Sequence, residues 1–394
     1  MQEAILLVKL IRNSLQQRPE IYFKDEFDSE ALKTLVRDQN LVSFLYPILS
    51  KQKEEVWVEI AKNLENDYND ELHRALVQGI EMQTLLDKLE KRKMDCLPLK
   101  GYVMKEYYFE PTFRSMTDFD VLLRDFDTKE VQSWMESMGY SAKRLGDDHH
   151  DVYVKKPYMV AELHKNLSDE KVEREVPQID EWLEKVWERC ILADGKQHTY
   201  EMTEEDFYIY HVIHLYKHVR LGGISIRPLI DTHVFMEKKR EHLNWKYLDD
   251  VFEELQLKKF ECVMRELSQK CFEKEDLNLS EEEQRLLLFF LENGMFGDAR
   301  TKATTAVLTG GEASYTKGRA AMYLRTLFQP ARVLEGRYPI LKKYPFVLPF
   351  IWVVRVFRVA FRERHKITLL QEASGKEACD EMQELFQIAG IVEK

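Results

Sequence analysis

Cysteine is scarce in this 394-residue chain: five residues, at positions 96, 190, 262, 271 and 379. They are odd in number, scattered, and without zinc-finger or redox spacing. That excludes a disulfide framework and points to reduced thiols in a cytoplasm. Long basic runs are also missing and the net charge is −11, which argues against a general nucleic-acid binder, although a local basic cleft can sit inside an acidic protein. The expected partners are a small-molecule or protein acceptor. No glycine-rich or proline-rich linker marks a domain boundary, so the parts are expected to pack tightly. Met1-Gln2-Glu3 opens no basic stretch followed by an apolar run, so no signal peptide is expected.

No apolar run reaches the length of a membrane span. The most apolar stretch, Tyr344 to Val354, is cut short by Arg355, Arg358, Arg362 and Arg364. It suits a packing helix or a partner-protein surface. An interfacial membrane helix is the alternative, because aromatics and arginines are its ingredients; a weak membrane-surface or partner contact is therefore assigned to 344–364.

What is present begins with size. The length predicts two or three packed units, and an apolar content of 44% supports a core. Three segments follow from the patterning: an N-terminal helical segment over 1–93, a core with strand character over 94–167, and a C-terminal helical domain over 168–394. In the first, Ile5, Leu6, Val8, Leu10, Ile11 and Leu15 make one amphipathic series. A long helix follows, with Trp57, Ala61, Leu64, Tyr68, Leu72, Ala75, Gly79, Met82, Leu86 and Leu89 at spacings of three and four. Its seam fits a packing helix that covers a sheet better than a coiled coil.

The chemistry concentrates between Leu97 and Leu123. Cys96-Leu97-Pro98-Leu99 is a short apolar run that stops at Lys100-Gly101, and Tyr102 to Phe109 can continue as a helix. Such a turn can offer backbone N–H groups to a phosphate, with Lys100 adding charge and Gly101 permitting close approach. A plain strand-to-helix turn has the same pattern. After Glu110-Pro111, Arg114-Ser115 precede Asp118-Phe119-Asp120-Val121-Leu122-Leu123, which alternates like a strand. Residues two apart share a strand face, so Asp118 and Asp120 would point one way while Phe119 and Val121 enter the core. Paired carboxylates repel unless a cation joins them, and their hard oxygens suit Mg²⁺. An exposed strand face or a helix cap would also carry Asp-x-Asp, and 69 acidic residues make short acidic matches common.

Beyond the aspartates, Asp127 or Thr128 can cap a helix through Met138 that stops at Gly139. Ala142–Leu145, Val152–Lys155 and Tyr158–His164 read as strands, with Glu162 on the last. His149, His150 and Asp151 read as a polar loop. From Ser168 the pattern is helical. Glu204 to Val219 carries His211, His214 and His218 on one face with Lys217 beside them. Zinc and a buried histidine face both remain open readings. Gly222-Gly223 reads as a turn between helices, and Glu372 to Gly390 as a final amphipathic helix.

Leu99-Lys100-Gly101, Arg114, Thr117-Asp118-Phe119-Asp120-Val121-Leu122 and Ala161-Glu162-Leu163-His164 together resemble the uncharacterised nucleotidyltransferase family of the polymerase-β-like superfamily. The resemblance is close over about residues 85 to 170 and looser through Asp231. It implies an α+β fold: a small mixed-sheet nucleotidyltransferase core flanked by N-terminal helices and a larger C-terminal helical domain. It implies two Mg²⁺ ions, with Mn²⁺ an option, held by Asp118, Asp120 and Glu162, and an NTP as nucleotide substrate. Lys100, Gly101, Arg114 and Ser115 would then orient phosphates, with Arg114 alternatively a clamp on the acidic strand. His214, Lys217, His218, Arg227 and Asp231 resemble a further family pattern in which Lys217 or Arg227 holds the triphosphate and Asp231 fixes Arg227; His164 joins them as a secondary site candidate. The superfamily's usual glycine-serine pair is replaced here by Lys100-Gly101. The implied reaction moves a nucleoside monophosphate to an acceptor hydroxyl or phosphate in the cytoplasm. A non-catalytic nucleotide-binding or interaction protein of the same fold is the alternative. An Asp-x-Asp glycosyltransferase is weaker, because the upstream residues look helical rather than α/β.

Overall fold

The computed structural model describes residues 2–18, 20, 21, 23, 26–146, 149–168, 176–274, 277–294, 297–308, 315–335, 337–362 and 371–391. Its chain divides into two compact units. The first comprises Met1–Leu215 with Ile226–Ser280, and the second Tyr216–Ser225 with Glu281–Lys394.

The first unit is built on a mixed five-stranded sheet. Its strands are β1 (Cys96–Pro98), β2 (Phe119–Leu123), β3 (Ser141–Arg144), β4 (His150–Lys155) and β5 (Met159–His164), in the order β1-β2-β5-β4-β3. β2 and β5 run parallel at its centre; the other neighbours are antiparallel. A parallel pair needs a crossover, and here it includes the Thr128–Ser137 helix and the β3–β4 hairpin. Asp127 starts that helix by accepting hydrogen bonds from the N–H groups of Lys129 and Glu130 at 2.9 and 2.8 Å. Gly139 stops it in the left-handed region, at φ +84°.

Strand alternation sorts the side chains into two faces. Phe119, Val121, Leu123, Tyr153, Ala161 and Leu163 take the buried face, where they meet Met82, Leu85, Leu86 and Leu89 of the long Glu55–Lys91 helix and Val131, Trp134 and Met135 of the crossover helix. The opposite parity carries Asp120, Glu162, His164 and His150. One apolar layer therefore fixes the register that aligns the polar face, since a slip of one residue would exchange the two. The long helix covers the sheet with its C-terminal turns only. Near its start, Trp57 is buried and stacks on Phe27 with ring centroids 5.2 Å apart.

Three local expectations change. The helix after β1 begins earlier, at Lys100, and ends at Met104; a 3₁₀ turn spans Lys105–Tyr107, and Tyr108 leaves helical geometry to be buried. His150 and Asp151 belong to β4 rather than to a loop, because β4 pairs with β5 as far as His150 opposite His164. The region after Ser168 is not wholly helical: β6 (Ile191–Leu192) and β7 (Tyr200–Glu201) form a two-stranded sheet. Strands of two residues are too short to show a period.

The second unit, among its described residues, is helical. It includes Glu281–Glu292, Ala299–Leu308, Tyr315–Leu327, Leu348–Arg362 and Lys376–Ile388, with Val307, Met322 and Cys379 clustered in its interior. Gly222 and Gly223 form the expected turn, both at positive φ, and a Cβ on Gly223 would lie 2.4 Å from the Asn293 side chain. Arg364 lies outside the described residues.

Leu163 stands at the centre of the sheet core. Replacing it with Ala should cost roughly 2–5 kcal/mol, whereas Asp127→Ala, which removes a cap, should cost about 1 kcal/mol. Urea titrations of the two variants followed by circular dichroism would check that order.

Candidate active site

The polar face of the sheet assembles from β2, β5 and β4. Asp120 lies directly opposite Glu162 in the parallel ladder, and Leu122 opposite His164. β4 adds His150 opposite His164. Asp118 precedes the first residue of β2.

Lys100 closes the site from the end of β1. The Leu99 N–H donates to the Asp120 carbonyl at 3.0 Å, tying the strand end to β2. Lys100 itself sits at φ +47°, a conformation that costs a non-glycine residue about 1–2 kcal/mol. From there its Nζ donates to Asp120 Oδ1 at 2.7 Å, and His164 Nε2 donates to the same oxygen, also at 2.7 Å. Burial alone would raise the Asp120 pKa, but Lys100 and His164 outweigh it and hold the carboxyl well below its usual range. Burial likewise works against the Lys100 charge, yet Asp120 keeps the ammonium protonated far above its ordinary range.

The other two carboxyls shift the opposite way. Burial, then the charge of Asp120, raises Asp118; burial, then Asp120 and Asp118, raises Glu162. Both are acids short of compensating charge. Thr117 Oγ1 lies 3.2 Å from Asp118 Oδ1. His150 is pushed down to about 4 by burial and by the charges of His164, Arg144 and Lys100. Arg144 donates to His150 Nε2, which only the neutral ring can accept. That same Nε2 lies 3.7 Å from Glu162 Oε2.

Asp120, Glu162 and His164 present ligand atoms that all lie within 4.8 Å of one another, and they form the group of three metal-ligating side chains found among the described residues. Asp118 is not in that group, and neither is the row of helix histidines. His211 Nε2 instead donates to Thr232 Oγ1 at 2.9 Å, whose hydroxyl donates to the Pro228 carbonyl. Burial pushes its pKa down to about 4. His214 is half-buried beside Tyr210, with ring centroids 6.5 Å apart. Lys217 and His218 fall in the second unit and are half-buried there.

Arg114, Ser115, Arg227 and Asp231 form a buried support. Asp231 takes both Nε and Nη2 of Arg114, each at 2.8 Å, and accepts from the Tyr108 hydroxyl at 2.7 Å. The structure gives Asp231 a partner that the sequence reading does not pair with it: the guanidinium fork of Arg114 reaches the carboxylate in bidentate geometry, while Arg227 donates to the Ser115 carbonyl. Arg114 clamps the Arg227–Lys239 helix rather than the acidic strand. Gly101 makes room for this clamp, since a Cβ there would lie 2.5 Å from Arg114 Nη1 and 3.0 Å from Met116 Sδ.

Sequence reasoning missed His150, Arg144 and Tyr210. Tyr210 is buried, and its pKa is raised by burial and by Asp120 against the opposing charge of Lys100. His150 did carry a signal: it shares parity with Val152 and Val154, which extends β4 by one repeat.

Arg114→Ala would leave Asp231 charged and buried, so it should cost roughly 3–5 kcal/mol. Arg114→Met with Asp231→Leu should cost less than the sum of the single changes. Burial opposes the Asp231 charge but Arg114 lowers its pKa overall. Its stabilisation is thus fully present above the unfolded value of about 3.9 and lost as pH falls from there through the folded value. Asp231→Asn should flatten that part of the acid-unfolding curve, measured by urea midpoints below about pH 5.

The family model described as an uncharacterised nucleotidyltransferase matches residues 25–273. No curated protein and no solved structure matches the chain. The matched span takes in β1 to β5, the residues of the polar face and the Arg114–Asp231 support, well over half of the sequence, and the chain belongs to the uncharacterised nucleotidyltransferase family.

Proposed function

We propose that this protein moves a nucleoside monophosphate from an NTP to an acceptor hydroxyl or phosphate, with a divalent cation held by Asp120, Glu162 and His164. The convergence of those three ligand atoms within 4.8 Å is the observation that carries the reading. The donor chemistry fits: two carboxylates suit Mg²⁺, and the imidazole makes Mn²⁺ an equally good match. Raised pKa values at Glu162 and Asp118 support it further, because those groups gain most from an added cation. Asp118 is the third carboxylate of the family pattern and the candidate for a second ion.

A bound divalent cation neutralises triphosphate charge and lowers the pKa of a coordinated hydroxyl. The protein's own groups do the rest. Lys100 would hold the Asp120 carboxylate and is the cation placed to meet a phosphate oxygen; His164, which donates Nε2–H to Asp120 in the structure, would give up that proton to offer the Nε2 lone pair to the cation. Glu162 would complete the cation's shell or, alternatively, accept the acceptor hydroxyl's proton as the bond from the acceptor oxygen to the α-phosphorus forms. The bond from that phosphorus to pyrophosphate breaks, and pyrophosphate leaves with the electron pair. Arg114, Asp231 and Arg227 act beneath the site by holding Gly101 and Ser115 in place.

A second reading, nucleotide binding without turnover, is favoured by one contact: Lys100 already satisfies Asp120 at 2.7 Å, as a built-in cation would. Titration calorimetry with a non-hydrolysable NTP, with and without Mg²⁺ or Mn²⁺, tests the shared part of both. Asp120→Asn with Glu162→Gln should weaken metal-dependent binding by more than roughly 100-fold with the circular dichroism unchanged. No binding of any NTP in either condition would sink both readings. Pyrophosphate release from labelled NTPs in an acceptor screen separates them, and binding without release across the screen would favour the second.

A further inference from the structure

In the second unit, the 3₁₀ turn Pro345–Val347 runs into the helix Leu348–Arg362. Phe346, Phe350, Val353, Val354 and Phe357 recur at spacings of four, three, one and three, which places them on one side of a helix. All five are solvent-exposed, Phe346 by 75%, Phe350 by 72% and Phe357 by 59%. Single exposed apolar residues are ordinary on protein surfaces, but a contiguous stripe of large ones marks an interaction face. The helix is fastened from another side. Trp352 Nε1 donates to the Gln329 carbonyl at 2.8 Å and its ring meets Phe328, while the Arg358 guanidinium lies over the Tyr338 ring. The stripe is thus displayed by a docked helix.

The charge around the stripe identifies its occupant. From 335 to 364 the sequence carries Arg337, Lys342, Lys343, Arg355, Arg358, Arg362 and Arg364 against Glu335 and Glu363, a net positive segment within a chain whose net charge is −11. Lys343 is exposed, with its Nζ over the Tyr344 ring. Large aromatics flanked by cations in an otherwise acidic chain match the headgroup and acyl boundary of an anionic bilayer. A second copy of the chain would bring like charges together across an isologous interface. The described helix, 15 residues and about 22 Å long, is shorter than a hydrocarbon thickness of about 30 Å, and no helix among the described residues is long and apolar enough to cross a membrane.

We propose that the Phe346–Phe357 stripe and its cations dock this protein on an anionic lipid surface, with the helix lying in the plane of the interface. The proposal is independent of the nucleotide chemistry. The experiment is co-sedimentation of the full chain with vesicles of phosphatidylcholine alone and of phosphatidylcholine with phosphatidylglycerol. Binding should require phosphatidylglycerol and weaken with added salt. Phe350→Asp with Phe357→Asp should reduce it by roughly tenfold or more. Arg337→Glu with Lys343→Glu should reduce it separately; this pair decides the matter if the phenylalanine variant fails its circular dichroism and melting controls. No pelleting with either vesicle, equal pelleting with both, or pelleting unchanged by both variants would overturn the proposal. So would a concentration-dependent dimer, by mass photometry, that the phenylalanine variant abolishes, since that outcome assigns the stripe to a second copy.

Discussion

The Asp120 carboxylate, held at one oxygen by Lys100 and His164, is the interaction around which the polar face is arranged. It requires β1, β2 and β5 to meet in one register, because the three residues come from the junction after β1, the middle of β2 and the end of β5. Burying a carboxylate beside two others is unfavourable without compensating charge. The lysine supplies that charge within the fold, at the cost of a left-handed backbone residue. Local strain of this sort persists where the surroundings over-determine it, and here the Leu99 hydrogen bond to β2 and the Arg114 side chain against Gly101 supply the restraint.

Beneath this lies a second, more deeply buried charge pair. Arg114 and Asp231 are 117 residues apart in sequence and meet with both guanidinium donors engaged. Their bidentate geometry, completed by the Tyr108 hydroxyl, joins the turn before β2 to the Arg227–Lys239 helix. The pair sets where Ser115 and Gly101 sit. A glycine that looks like a phosphate turn in sequence thus has a packing reason in the fold, whatever ligand its N–H also meets.

Electrostatic asymmetry recurs in both units in different forms. In the first, burial and the neighbouring carboxylates make Glu162 and Asp118 hold their protons more tightly. In the second, the sequence around an apolar stripe carries cations in excess of its two acids, Glu335 and Glu363. Each would be relieved by something of opposite charge, a divalent cation in one reading and an anionic lipid surface in the other.

Much of the first unit was legible from the chain alone. Period-2 alternation around Phe119 to Leu123 and Met159 to His164, the Asp127 cap and Gly139 stop, and the three-and-four seam of the long helix are local patterns, and local sterics and burial read them directly. The motif order from Lys100 through Asp120 to Glu162 and His164 pointed to the nucleotidyltransferase family. Tertiary structure alone decided which strands are neighbours, and so that Glu162 stands opposite Asp120, that His150 extends β4, that His164 joins the ligand group while Asp118 stays outside it, and that Asp231 meets the fork of Arg114. These are contacts between residues tens to more than a hundred positions apart. Sequence periodicity records which face a side chain takes, but the partner it meets there depends on strand order and register, which only the packed core fixes.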